Sequence, residues 1–286
     1  MKVGLLLEGG AMRGLYTAGV LDVLMKNNIK VDAIIGVSAG ALFGMNYKSK
    51  QIGRVLRYNK KYCKNKNYMG LYSWLTTGNI MNEEFCFNKI INELDPFDFD
   101  TFKNSNEEFY AVVTNMKTGA PEYIEIQDLD DNNIEYLRAS GSMHFVSKPV
   151  VIDNNKYLDG GISDSIPIDK IMSMGYDKVI VVLTRPIEYR KKKSNKILPK
   201  LFYKKYPNFI NTINNRYKKY NEQVEKVIEL EEEGKIFVLR PSRLVKIKRI
   251  EKDENMIQQM YDLGVEDCSQ KLDKLLEYLR NEEINF

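Results

Sequence analysis

Short apolar runs alternate with longer stretches of helical spacing through the first half of the chain. Val3–Leu7 reads as a buried strand that ends at Gly9-Gly10. Over 13–25 the apolar residues fall at 15, 16, 20, 21, 24 and 25, which predicts a helix stopping at Asn27-Asn28. Residues 31–37 (VDAIIGV) predict a second strand, and the small residues from Ser38 onward (SAGALFGMNY) predict a helix that begins at that serine. A further helix with a basic face is expected over 51–64. The middle is less regular. FYAVVT (109–114) and YIEI (123–126) read as strands around the turn Lys117-Thr118-Gly119, a short helix starts over 134–138, and 150–158 reads as a hairpin about Asn154-Asn155. Pro167 opens a helix that runs through 168–174 to Gly175, and KVIVVL (178–183) is a strongly apolar strand. The pattern then gives a long polar helix over 208–233 closed by Gly234, a strand over 235–239 and a terminal helix over 254–280.

Strands separated by helices predict an α/β fold, a mostly parallel central sheet flanked by helices on both faces. Residues 1–185 form the expected core, 186–207 an insertion, and 208–286 helices and a strand that complete the same domain. No stretch approaches the roughly 20 apolar residues that span a bilayer, and MKVGLLLEGG reads as a first strand, not a signal peptide. The three cysteines (Cys63, Cys86, Cys268) are odd in number and far apart, with no CxxC or Cys/His cluster. A metal site is not expected, and a reducing cytoplasm is the simplest setting.

Charge changes the picture in one place. The chain carries +4 overall, yet residues 185–210 hold nine Lys/Arg against Glu188 alone, so that segment is +8 and the remainder −4. Tyr189, Phe202, Tyr203, Tyr206 and Phe209 are interleaved with the basic residues. Such a block fits a solvated loop, or peripheral contact of 185–209 with an anionic membrane surface. Nucleic acid is not the expected partner. The pattern does not predict an oligomeric state.

The candidate chemistry begins at GVSAG, residues 36–40. A strand that turns straight into a helix must bend sharply. Gly36 and Gly40 remove the side chains that would collide there, which exposes the Ser38 hydroxyl at a helix N-terminus. GxSxG by itself arises by chance in roughly one chain in ten of this length, and a tight turn capped by serine would look the same. Glu8 and the loop Gly9-Gly10-Ala11-Met12-Arg13-Gly14 follow the first strand. The spacing is neither GxGxxG nor GxxxxGK[ST], so a nucleotide site fits poorly. Small residues instead let backbone N–H groups, those of Gly10 and Ala11, approach the oxyanion of a tetrahedral intermediate. Arg13 adds positive charge suited to holding the loop or an anionic head group. A serine needs a base. Two residues compete: His144, the chain's one histidine, and Asp159, which precedes Gly160-Gly161 at a strand end. Imidazole is the usual choice, whereas an aspartate near its reference pKa of about 3.9 is a feeble base unless burial raises it.

EGGAMRGLYTAGVLDVL, GVSAG and DGG, in this order and spacing, resemble the patatin-like phospholipase family, in particular its bacterial branch. RASGSMHFVSKPV and YLDGGISDSIPI resemble family segments too, so the likeness covers roughly residues 1–185. The resemblance implies a Ser-Asp dyad hydrolase of lipid esters that uses no cofactor. Ser38 matches the family nucleophile, Asp159 its base, and residues 9–14 its oxyanion loop. Two positions depart: Ala11 stands where the family usually has a third glycine, and His144 where it commonly has proline. The implied substrates are phospholipids or lysophospholipids. The rivals are a soluble carboxylesterase or thioesterase with the same dyad, and a catalytically silent lipid-binding protein.

Overall fold

The computed structural model describes residues 1–280. In chain order its elements are β1 (Val3–Leu7), a 3-10 turn (Ala11–Gly14), α1 (Leu15–Lys26), β2 (Ala33–Val37), α2 (Ala39–Lys48), α3 (Arg54–Tyr62) and α4 (Leu71–Thr77). A π-type helix (Phe85–Leu94), α5 (Phe99–Asn104), β3 (Glu108–Asn115), β4 (Pro121–Glu125) and α6 (Asp131–Gly141) follow. The remainder comprises β5 (Val150–Ile152), β6 (Asn155–Asp159), α7 (Ile168–Ser173), β7 (Lys178–Val182), α8 (Ile197–Phe202), α9 (Pro207–Glu232), β8 (Phe237–Leu239), α10 (Glu254–Gln270) and α11 (Leu272–Arg280). The expected α/β architecture is present. Residues 281–286, the end of the segment 208–286, lie outside the described residues.

The eight strands form one sheet in the order β5-β6-β3-β2-β1-β7-β8, with β4 also paired to β3. β3, β2, β1, β7 and β8 run parallel, while β4, β5 and β6 are joined by antiparallel pairings. Every residue of β1, β2 and β7 is buried, as interior parallel strands covered on both faces require. Alternation along the strands sends Leu5, Leu7 and Ile34 to one core and Leu6, Ile35 and Val37 to the other. α1, α2, α3 and α10 cover the first face, and α7 and α9 the second. α1 and α10 cross at very close range: a Cβ on Gly19 would lie 2.2 Å from the Tyr261 carbonyl oxygen, and one on Gly264 2.1 Å from that of Tyr16.

Some elements differ from the sequence expectation. α1 starts at Leu15 because the preceding residues are taken up by the 3-10 turn. The terminal helix breaks at Lys271, whose Nζ donates to the Val238 carbonyl, and α11 then lies beside β8 with Tyr278 5.7 Å from Phe237. α4, the π-type helix and α5 arise in a stretch with no clear pattern, and α8 arises within the basic segment.

The register positions the site. Val37 is level with Val112 across β2–β3, and Val113 with Asp159 across β3–β6. The residue after β2 and the last residue of β6 therefore share a level two strands apart, about 10 Å between backbones, within the span of two converging side chains. The chain leaves β1 toward β2 on one side, while β7 flanks β1 on the other. Diverging connections of this kind open a crevice at the carboxyl ends of parallel strands.

Candidate active site

Ser38 holds the turn between β2 and α2 at φ 55°, ψ −122°, a conformation costing about 1–3 kcal/mol for a residue with a Cβ. Neighbouring atoms enforce it. A Cβ on Gly36 would meet the Ala41 Cα at 2.5 Å, and one on Gly40 the Leu7 carbonyl oxygen at 2.3 Å. The Ser38 N–H donates to the Ser140 hydroxyl (2.9 Å), which donates to the Val112 carbonyl (2.7 Å). This strut from α6 holds the turn against β3.

The Ser38 hydroxyl donates to Asp159 Oδ2 at 2.7 Å, and the Gly161 N–H donates to Oδ1, also at 2.7 Å. Each carboxylate oxygen thus has one fixed partner. Gly160 is required by contact, because a Cβ there would lie 2.2 Å from the Val112 carbonyl oxygen. Ser38 and Asp159 are both buried. Burial raises the Asp159 carboxyl above its ordinary value of 3.8, against the opposing effects of the Ser38 hydrogen bond and of Arg216. A carboxylate so perturbed is a better base than one in water.

The loop over 9–14 passes directly beneath the serine. A Cβ on Gly9 would lie 2.9 Å from that of Ser38, and one on Gly10 2.7 Å from the Thr184 hydroxyl. Among the described residues, the Gly10 and Ala11 N–H groups donate to no protein acceptor, while that of Met12 donates to the Arg249 carbonyl. Unengaged amides beside a nucleophile are the equipment of an oxyanion hole. Ala11 sits at φ 49°, in the left-handed region, where an alanine costs about 1–2 kcal/mol. Ala11→Gly should therefore raise stability by about 1 kcal/mol, a rise of roughly 2–4 °C in Tm. A lowered Tm would show that the loop does not strain this residue.

Ser38 lies at the junction of two cavities. One, about 110 Å³, is apolar and lined by residues including Leu42, Phe43, Met45, Ile91 and Leu137. The other, about 290 Å³, is the more polar of the two and sits at the crevice between β1 and β7; Arg13, Asp159, Arg185, Lys191, Arg216 and Arg249 line it. Glu8 is buried in its floor, where Oε1 accepts from Tyr220 (2.9 Å) and Oε2 from the Thr184 N–H (2.6 Å). Arg216 donates to the Gly161 carbonyl and so braces the turn that presents Asp159. His144 lines the same chamber and packs its ring 4.6 Å from that of Phe145. Burial, with Arg216, Arg249 and Lys191 adding to it, pushes the imidazole down to about 3. It is neutral at physiological pH, and no hydrogen bond joins it to Ser38.

The structure thus brings together Ser38, Asp159 and the loop 9–14, while His144 lines the same chamber without a hydrogen bond to the serine. Several neighbours escape sequence reasoning. Ser140 lies inside RASGSM, a run noted for its family likeness, and Glu8 borders the glycine loop, so both carried a local signal. Arg216 and Arg249 carried none, since they reach the site from 178 and 211 positions beyond Ser38.

The chain is similar to several known proteins. The chain is 28% identical over 190 residues to YjjU, an uncharacterized protein of Escherichia coli, covering 65% of this chain and 52% of YjjU. It is 27% identical over 191 residues to Lysophospholipase nte1 of Aspergillus oryzae, covering 63% of this chain and 12% of the fungal protein. The chain therefore spans about half of one relative and a small part of the other. Relatives occur in bacteria and fungi, so the likeness is not confined to a bacterial branch. The crystal structure of VipD from Legionella pneumophila superposes with a TM-score of 0.49 at 13% identity, over 96% of this chain and 67% of that one. A model described as a domain of unknown function (DUF6363) matches residues 206–280. The patatin-like phospholipase model matches residues 5–172, more than half of the chain and the whole stretch from the loop beneath Ser38 to beyond Asp159, and the chain belongs to that family.

Proposed function

We infer that this chain is a serine lipid acyl hydrolase that cleaves carboxylic esters of phospholipids or lysophospholipids through a Ser38–Asp159 dyad. The observation that carries the reading is the 2.7 Å hydrogen bond between the two side chains at the junction of the cavities. Asp159 takes the hydroxyl proton as Ser38 Oγ attacks the ester carbonyl. The Gly10 and Ala11 amides receive the oxyanion, and the protonated carboxyl gives its proton to the departing alcohol. Water, activated by the same carboxylate, then releases the fatty acid. The apolar cavity takes the acyl chain and the polar chamber the leaving alcohol.

The base sets the pH dependence. Asp159 acts as a carboxylate, so activity is present above its raised pKa and lost as pH falls through it. On a neutral ester the acid limb of kcat/KM should lie above pH 3.8. His144→Gln should leave that limb in place and kcat/KM within about threefold. A limb that vanishes in His144→Gln would give the role of base to the imidazole.

Peripheral contact with an anionic membrane is part of this reading. α8 exposes Ile197 (64%), Leu201 (69%) and Phe202 (60%) amid exposed Lys196, Lys200, Lys204 and Lys205. Phe202 packs 5.3 Å from Phe145, a wall of the polar chamber, so the patch adjoins the chamber. α4 exposes Leu71, Trp74 and Leu75, and it is tied to the same wall through the Ile80 N–H bond to the Val146 carbonyl. Vesicles of phosphatidylglycerol should bind the protein, and Leu201→Asp with Phe202→Asp should weaken binding by about tenfold or more. Trp74 is the chain's single tryptophan, so a blue shift of its emission on adding vesicles tests whether α4 enters the interface. Equal binding by the double variant would remove α8 from the contact.

No helix among the described residues is long and apolar enough to cross a membrane.

A further inference from the structure

The polar chamber holds cations that form no ion pair among the described residues. Arg13, Arg185, Lys191, Arg216 and Arg249 all line it. Ten arginines precede residue 250. Six of them, Arg54, Arg57, Arg138, Arg190, Arg240 and Arg243, are ion-paired. The four without an ion pair among the described residues are those of the chamber. Arg13 Nε is buried with no hydrogen-bond partner at all.

The two carboxylates of the chamber do not neutralise this group. Glu8 is engaged by Thr184 and Tyr220, and Asp159 by Ser38 and Gly161. The arginines oppose one another: burial and then Arg185 lower Arg13 to about 10, with Arg249 acting in the same sense. Cations gathered beside a nucleophile at a cost in mutual repulsion indicate that an anion completes the site.

We propose that the chamber binds the phosphate of an anionic head group on the leaving-alcohol side, so that the preferred substrate is a single-chain acyl glycerophosphate without a choline. This rests on the hydrolase reading above. The chamber, at about 290 Å³, is more than twice the volume of the apolar cavity, room for a glycerophosphate. The apolar cavity, about 110 Å³, is the smaller of the two, which suits one acyl chain better than two. Arginine forks match phosphate oxygens in pairs. A quaternary ammonium would need open aromatic faces. Three Phe and Tyr rings line the chamber and each is already engaged: Arg185 stands 4.3 Å from the Tyr189 ring, Lys191 4.0 Å from that of Tyr220, and Phe145 is packed against His144, Phe202 and Tyr203. Arg216 and Arg249 come from 206–280, the segment that the model of a domain of unknown function matches. The proposal gives that segment a task, recognition of the head group.

Lys191 supports the same assignment. Burial and then Arg216 push its ammonium down to about 6, with Arg13 acting alike and Glu8 and Asp159 opposing. A phosphate placed among these groups favours the charged form, so binding near neutral pH takes up a proton.

The test uses full-length Ser38→Ala protein, which retains the chamber, and three probes: a non-hydrolysable alkyl-ether glycerophosphate, its choline ester, and inorganic phosphate. Titration calorimetry in about 0.15 M salt should give at least about tenfold tighter binding of the ether glycerophosphate than of the choline ester. Inorganic phosphate should bind more weakly than the lipid. Lys191→Met and Arg249→Gln, each added to Ser38→Ala and shown to melt cooperatively, should each erode the tenfold preference. Equal binding of the two lipids, or a preference intact in both variants, overturns the proposal. Inorganic phosphate binding as tightly as the lipid assigns the chamber to free phosphate and also overturns it. Turnover by the wild-type chain separates the two readings. The head-group preference without hydrolysis of any ester sinks the hydrolase and leaves the chamber, and hydrolysis indifferent to head group does the reverse.

Discussion

Ser38→Ala and Asp159→Asn should each lower kcat/KM on a medium-chain ester by about 10⁴-fold or more, the loss seen when one member of a nucleophile–base pair is removed. The two variants fail for different reasons. Alanine leaves no atom to form the acyl-enzyme. Asparagine keeps a polar group of the same shape: its carbonyl still accepts from Gly161, and its amide nitrogen occupies the place of Oδ2 beside Ser38. No group then receives the proton. The fold should not suffer. Because the folded-state pKa of Asp159 is raised, its ionised form costs stability, and that cost grows as pH rises from the ordinary value of 3.8 through the folded value. Neutral asparagine removes the cost, so Asp159→Asn should melt no lower than wild type at pH 7 while being inactive. Turnover within tenfold of wild type in folded Asp159→Asn would end the dyad assignment.

The second large effect concerns stability. Gly264→Ala should destabilise the protein by about 3 kcal/mol, a fall of roughly 6–12 °C in Tm, and Gly19→Ala by a similar amount. A Cβ at either position would sit 2.1–2.2 Å from a backbone oxygen of the opposing helix, closer than any real contact allows. Neither oxygen can swing aside as a flexible side chain would, so α1 and α10 must separate. Separation also loosens Asp22, which accepts from Tyr261 (2.6 Å) on α10 and from the Gly53 N–H (2.9 Å) before α3. One displacement relieves both collisions, so the double variant should cost less than the sum of the singles. Additive losses, or none, would show that the helices do not touch there. Differential scanning calorimetry of the three variants decides it.

The parallel centre of the fold was legible because buried strands write themselves as unbroken apolar runs: Val3–Leu7, Ala33–Val37 and KVIVVL. Ser38 and Asp159 were legible because their turns need glycines, and glycines at fixed offsets survive in a sequence as a signature. Residues 65–105 were not. In the helix over Phe85–Leu94 apolar residues do recur at three and four (87, 90, 91 and 94), but a π-type helix takes more residues per turn than that spacing implies, so the pattern does not give its type. α4 and α8 point apolar side chains outward, and a pattern that marks the core misreads them. The strain at Ala11 left one mark in the sequence, an alanine where the family usually has a third glycine. The cationic chamber was invisible for a simpler reason: its members meet only after residues far apart in the chain have folded onto one crevice.

The boundary at residue 172 runs through a structural unit. β7, which lies beyond it, is hydrogen-bonded to β1 along the full length of both strands. A fragment ending there would retain Ser38 and Asp159 yet strip a neighbour from a strand buried along its whole length, leaving VGLLL as a naked margin open to pairing between copies. Such a fragment should aggregate on expression, and a shortened version that keeps the sheet whole has to run past Leu239.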